Sequence, residues 1–206
     1  KDDYLEIVTC QIVRLIKNNQ ILKMSKREGN FITLQEVYNQ VGKDPLRYFM
    51  VSTKSETSMD FDLNKVIEKN KDNPVFYCQY AYARASSVIN KAGDLGININ
   101  SFNNFSEIIQ YLTEDEIEII LKLLSYPYVV KLAANAKEPH RLTNFIEDLS
   151  ASFHSFWNKG KENESLRFID ENNIIKTQTK LIWLQSMRVV FENVFKIIGI
   201  EYYETM

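Results

Sequence analysis

From Asn73-Pro74 to Gly199, apolar residues keep returning at intervals of three and four, and that sustained period commits most of the chain to helices packed on one another. The first helix is predicted to run through Phe76, Tyr80, Ala83 and Val88 to Gly93. A polar connection spans 94–104, and a short helix including Ile108 and Leu112 follows. Thr113-Glu114-Asp115-Glu116 is a capping box, in which hydroxyl and carboxylate each satisfy an orphan amide; it opens a helix with Ile117, Ile120, Leu121 and Leu124. The acidic run Glu114, Asp115, Glu116 and Glu118 reads as a solvated face, well placed at the positive end of the helix dipole. Pro127 and Pro139 are each expected to begin a further helix, the second carrying Leu142, Phe145, Leu149, Phe153 and Phe156. Residues 160–173 are polar and expected to be loop. A last helix runs from about Thr177 to Ile198, stopped by Gly199, and the aromatic tail from Ile200 to Met206 is expected to pack down. Six Gly and four Pro in 206 residues are too few for a turn-rich β architecture.

Before residue 70 the pattern is mixed. Between Ile7 and Ser25 two short strands are expected, the first with apolar residues on both faces, as in a covered strand. Asn18-Asn19 suits the positive φ angles of a tight hairpin, returning through Gln20 to Lys23. After a loop from Met24 to Ile32, Thr33-Leu34-Gln35-Glu36 forms another capping box, whose helix ends at Gly42. Asp44-Pro45 starts the next helix, with Leu46, Tyr48, Phe49 and Val51. Ser52 to Asp60 is polar, and Asp62 is expected to cap a third helix through Ile67. The expected fold class is therefore mainly α: a small α/β portion over 1–70, then an all-α helical bundle over 71–206.

The formal net charge of −2 excludes a protein-wide positive field, so any nucleic-acid contact must come from local basic and aromatic patches. Cys10 and Cys78 have no neighbours at metal-ligand spacing, and no metal site is expected. No apolar run approaches the roughly 18 residues of a membrane span. The chain starts at Lys1, within what reads as structured sequence, and is expected to be a fragment.

Lys23-Met24-Ser25-Lys26-Arg27 stands directly after the second predicted strand, in a loop leading to a helix. Two ammonium groups there can meet charge that builds on a departing pyrophosphate, while the Ser25 hydroxyl and loop amides bind phosphate oxygens. The run resembles the signature loop of class I aminoacyl-tRNA synthetases, usually written Lys-Met-Ser-Lys-Ser. It continues as Glu28-Gly29-Asn30-Phe31-Ile32-Thr33-Leu34 and later as Gly42-Lys43-Asp44-Pro45-Leu46-Arg47-Tyr48-Phe49, both similar to the arginyl-tRNA synthetases. Asn73 to Ala85 resembles the first helix of that family's anticodon domain, and Glu138 to Leu142 and Phe153 to Asn158 resemble two later stretches. The resemblance covers nearly the whole chain and thins at 94–104 and 160–173. It makes residues 1–70 the end of a catalytic domain and 71–206 a helical anticodon-binding domain.

What the resemblance implies is an arginine–tRNA ligase using ATP, accompanied by Mg2+, with L-arginine and tRNA(Arg) as partners. A cytoplasmic monomer is expected, with no membrane partner. Lys23 and Lys26 take the catalytic role, and Lys23 to Arg27 together hold the nucleotide. One departure matters: the family's His-x-Gly-His motif is absent, since the only histidines are His140 and His154, so this chain alone should not make an adenylate. The alternatives are a cysteinyl or methionyl enzyme, or a non-catalytic tRNA-binding module. Splayed anticodon bases are read by stacking and by hydrogen bonds to their edges. The candidates are Tyr82, Phe153 and Trp157 for stacking, Arg84 and Arg188 as donors, and Met206 by analogy. Phe145, Leu149, Phe153 and Phe156 recur at helical spacing, which a core stripe explains first, whereas Trp157 lies at the stripe's edge. Phe76, Tyr77 and Tyr80 read as core.

Overall fold

The computed structural model describes residues 5–22, 31–99 and 105–206. Strand β1 (Val13–Lys17) turns back into β2 (Gln20–Ile21) through Asn18 and Asn19, whose φ angles of 54° and 60° are those the hairpin requires. A third strand, β3 (Met59–Asp62), lies parallel to β1 with Leu15 opposite Phe61. It falls where a polar stretch and a helix cap were expected. Only Met59 and Phe61 carry its alternation, and its partner lies 46 positions away, so nothing local announces it. Asp62 does cap, accepting from the Asn64 amide at 3.0 Å, but the result is a single 3-10 turn, Lys65–Ile67, and not a full helix.

The first strand is also shorter than expected. Ile7 and Ile12 are 75% and 77% exposed, and regular pairing begins only at Val13. Among the described residues this stretch finds one backbone partner, Gln11 donating to Ser55 O at 2.8 Å; without a ladder there is no strand. Helix α1 (Leu34–Val41) carries the complete Thr33–Glu36 capping box, and those bonds from Thr33 hold the Glu36 carboxyl below its usual range. Gly42, at φ 82°, joins it to α2 (Lys43–Ser52). Leu15, Val37, Val41, Leu46, Phe61 and Val66 form the small core of this part.

Asn73 makes the crossing into the bundle. Its side chain caps α3 (Pro74–Asp94) through the Val75 amide, and its Nδ2 donates to Val66 O at 3.0 Å and Glu68 O at 2.6 Å. Helices α4 (Phe105–Ile109), α5 (Glu114–Ala136), α6 (His140–Glu162) and α7 (Ile174–Ile198) complete the bundle. Phe153, Phe156, Phe168 and Trp183 interlock at its centre, with ring centroids 5.3–5.8 Å apart along the chain of contacts. Tyr48 ties α2 in, donating to Glu147 Oε1 at 2.6 Å, and burial beside it pushes the Cys78 thiol up to about 12.

Three expectations here are corrected. Pro127 does not begin a helix but lies within α5, which runs through it. The interior position costs about 3 kcal/mol intrinsically, and packing against α6 and α7 overrides it. Gly160 does not end α6; it is buried inside the helix, where an added Cβ would stand 3.4 Å from Leu166 O. Close backbone approach, not termination, is its reason. Glu116 is not part of a solvated face. Its side chain is 0% exposed and Lys180 beside it 1%. Oε2 of Glu116 accepts from the Thr113 amide at 3.0 Å to close the capping box, while Oε1 accepts from Trp183 Nε1 at 3.1 Å and stands 3.6 Å from Lys180 Nζ. Burial lowers the Lys180 pKa, and the Glu116 charge works against that.

The tail packs down as expected. Gly199, at φ 77°, turns the chain over Arg47, whose Nε donates to Ile198 O at 3.0 Å. Asp44 then holds it: Oδ1 accepts from the Glu201 amide at 3.1 Å and Oδ2 from Tyr203 at 3.4 Å.

His154 of α6 sits in the seam with α3. Its Nδ1 faces Arg84 Nη1 at 3.1 Å; a guanidinium only donates, so Nδ1 accepts and the proton rests on Nε2, which donates to Tyr77 O at 3.3 Å. Burial, with the Arg84 charge adding to it, brings the pKa down from 6.5 to about 4.

Two outcomes follow from this packing. Glu116→Gln strands a buried ammonium and is expected to cost about 3–5 kcal/mol in urea unfolding, whereas Glu116→Gln with Lys180→Met recovers most of that loss. For His154 the folded pKa lies below the unfolded one, so its contribution is complete above about pH 6.5 and is lost as pH falls towards 4. That loss amounts to about 2–3 kcal/mol. Unfolding curves of His154→Gln from pH 7 to 4 should show a correspondingly shallower decline than the parent.

Candidate nucleic-acid interface

Arg84 emerges from the middle of α3 between two rings. Its guanidinium carbon lies 4.1 Å from the Tyr80 centroid and 4.9 Å from that of Trp157 on α6. Nη2 donates to the Tyr80 hydroxyl at 2.9 Å, and Nη1 to His154 as above. Phe76, one turn earlier, stacks on Tyr80 at 5.7 Å with rings inclined by 15°. Among the described residues no carboxylate pairs with Arg84. A half-buried cation held between aromatic faces, with no anion assigned to it, is suited to stacking a planar base and to donating to its edge or to a phosphate. The sequence supplied Arg84 and Trp157. It placed Tyr80, Tyr77 and Phe76 in the core, where the structure leaves all three half-exposed; the spacing of Phe76, Tyr80 and Arg84 at i, i+4 and i+8 is the signal that tells them apart.

The remaining candidates lie elsewhere. Phe153 is fully buried, its ring 5.9 Å from Trp157 and 5.8 Å from Phe168, so it backs the Trp157 ring from inside. Tyr82 is also fully buried, on the opposite side of α3, donating to Glu192 at 2.8 Å and accepting from Arg188 at 3.2 Å. Arg188 faces Glu192 at 3.6 Å and Glu204 at 3.2 Å, and its side chain is only 14% exposed. Its charge is already neutralised. Met206 is exposed and, with Tyr203, lines a cleft of about 430 Å³ that also includes Phe76, Gln79 and Lys69. The structure thus brings Arg84 and Trp157 together, with Phe153 behind them, and separates them from Tyr82 and Arg188. Lys23, Met24, Ser25, Lys26 and Arg27 lie outside the described residues. Among the described residues no cluster of side chains could hold a metal ion, and no helix is long and apolar enough to cross a membrane.

Comparison with known proteins follows the same division. Residues 14–75 match a family model described as tRNA synthetases class I (M). A Methylobacterium nodulans protein named arginine–tRNA ligase is 41% identical over 199 residues, covering 95% of this chain and 34% of that protein. One from Bartonella tribocorum with the same name is 42% identical over 201 residues, covering 96% of this chain and again 34% of the relative. The chain therefore spans about a third of the length of these curated relatives. A solved structure from Campylobacter jejuni, assigned as an arginyl-tRNA synthetase, superposes with a TM-score of 0.77 at 27% identity, covering 98% of this chain and 41% of that one. The α3–α7 bundle that carries the Arg84 clasp matches, over residues 78–206, the model of the DALR anticodon binding domain, and the chain belongs to that family.

Proposed function

We propose that this chain is the C-terminal portion of an arginine–tRNA ligase, which joins L-arginine to tRNA(Arg) with conversion of ATP to AMP and pyrophosphate. The observation that carries the reading is the Arg84 guanidinium between Tyr80 and Trp157, free of any described carboxylate, on a bundle of the anticodon-binding family. The names of the relatives support arginine as the amino acid. In this reading the division falls near residue 70, with the bundle seating the anticodon and the preceding part closing the catalytic domain. An unpaired anticodon base stacks on the exposed edge of the Tyr80–Arg84–Trp157 clasp, and Arg84 donates to its edge or to the adjoining phosphate. Phe153 supports the Trp157 ring from behind, Tyr82 and Arg188 fix the tail, and Met206 stands at the far end of the same α3 face.

The catalytic part of the reading rests on Lys23 to Arg27. Attack of the arginine carboxylate on the α-phosphate of ATP builds charge on the leaving pyrophosphate, which Lys23 and Lys26 meet more closely in the transition state than before it. Mg2+ accompanies the ATP phosphates. A histidine motif that this chain does not contain must come from the rest of the protein. We place the enzyme in the cytoplasm as a monomer. A methionine enzyme is the alternative favoured by the class I (M) match over 14–75, and selective binding of tRNA(Arg) over tRNA(Met) separates the two.

In the full-length enzyme, Trp157→Ala is expected to weaken tRNA(Arg) binding by about 1–3 kcal/mol in a filter-binding titration while leaving ATP affinity unchanged. Equal affinity in parent and variant would remove the clasp from the interface. Lys26→Ala should slow adenylate formation by about 10²–10³-fold, followed as pyrophosphate exchange with tRNA present. Exchange at the parental rate would sink the role given to the loop.

A further inference from the structure

Beside the Arg84 clasp, towards the C-terminal end of α3, lies a cavity of about 490 Å³. Ser87 and Lys91 of α3, Trp157, Gly160 and Lys161 of α6, and Arg167 and Phe168 of the connection to α7 line it. Three cations therefore face one space whose lining holds no carboxylate, in a chain whose net charge is −2. Lys91 and Lys161 make no ion pair among the described residues. Arg167 meets Glu164 at 2.7 Å, an exposed pair that water screens heavily.

A plainer account exists for two of the three. Lys91 sits in the last turn of α3 and Lys161 in the last turn of α6, where a cation offsets the helix dipole. That account needs neither lysine to face the other, nor Arg167 to join them, nor an aromatic wall between them. Two helix ends contribute about half a negative charge each, against three full positive charges, so the cavity keeps a surplus for an anion. The wall is fixed as well: Trp157 and Phe168 lie 5.5 Å apart, and Phe153 contacts both.

Its position narrows the ligand. Phe76, Tyr80, Arg84, Ser87 and Lys91 follow one another at intervals of four, four, three and four, and so share one face of α3 over roughly 22 Å. Phe76 lines the tail cleft, Tyr80 and Arg84 form the clasp, and Ser87 and Lys91 line this cavity. Trp157 belongs to both of the last two. Three sites in line, with a shared ring between two of them, fit successive nucleotides of a single strand better than an independent small ligand.

We propose that this cavity binds the nucleotide next to the base held at Arg84 and Trp157, its phosphate taken by Lys91, Lys161 and Arg167 and its sugar or base laid against Phe168. The proposal rests on the anticodon-reading function above and adds to it a second, electrostatic subsite. A free nucleotide offers the same phosphate and aromatic ring, so the test includes one.

The full-length enzyme, its Lys91→Ala/Lys161→Ala variant and its Arg84→Met variant are titrated with an anticodon stem-loop of tRNA(Arg) across a series of KCl concentrations, and separately with AMP. The lysine variant is expected to bind the stem-loop roughly tenfold more weakly at low salt, with the slope of log affinity against log salt shallower by about 1.4, or about 0.7 for each lost phosphate contact. AMP should not compete with the stem-loop at concentrations near the enzyme's. If the lysine variant keeps both parental affinity and slope while Arg84→Met weakens binding, the cavity proposal falls and the anticodon reading stands. Stem-loop binding insensitive to all three substitutions overturns both. AMP binding that depends on Lys91 and Lys161, with stem-loop binding unaffected by them, makes the cavity a free-nucleotide site and overturns the proposal.

Discussion

One buried carboxylate organises the bundle. Glu116 gives one oxygen to the start of its own helix and the other to Trp183 and Lys180 of α7, while Lys180 also donates to Leu166 O at 3.1 Å and lies over the Phe156 ring at 4.7 Å. Four segments, α5, α6, α7 and the connection before α7, therefore meet at two side chains. Such a pair adds little net stability over a well-packed apolar pair, because both charges leave water. What it supplies is registry. If α7 slid by one turn, Lys180 and Trp183 would lose their shared acceptor together, and a charge would remain in the core with nothing to answer it.

That registry reaches the surface through the aromatic cluster. Trp183 touches Phe156 and Phe168, Phe168 touches Phe153 and Trp157, and Trp157 forms one wall of the Arg84 clasp. On the other side the neutral His154 ring fixes the guanidinium through a single acceptor nitrogen. The cation is therefore oriented before anything binds, and the entropy of ordering a long side chain has already been lost on folding. This is why an arginine with no carboxylate partner sits half-buried here instead of waving in solvent.

Much of this was legible in the sequence wherever the chemistry is local. The Thr33–Glu36 and Thr113–Glu116 boxes, the Asn18-Asn19 turn and the Gly199 stop each depend on a few neighbouring residues, and each stands where the residues placed it. The boundary of α6 was misread because glycine serves both as a helix terminator and as a point of close approach, and only the Leu166 backbone beside Gly160 distinguishes the two. Strand β3, the helical Pro127 and the burial of Glu116 all depend on partners distant in sequence. At the site, Arg84 and Trp157 were recognisable from their residue types and helix positions. Tyr80 was not, because an aromatic at core spacing looks the same whether its outer face is covered or open.

Asp44 has a mechanical role beyond its hydrogen bonds. It stands in the first turn of α2, a helix shared by the small sheet's core through Leu46 and the bundle's core through Tyr48, and it grips Glu201 and Tyr203 directly. A tilt of α2 would therefore drag the tail like a cord tied to a lever arm, widening or pinching the cleft at Met206 while the helices of the bundle stay in place. The last few residues thus behave as an extension of the first half of the chain, although nearly all of the bundle separates the two along the backbone.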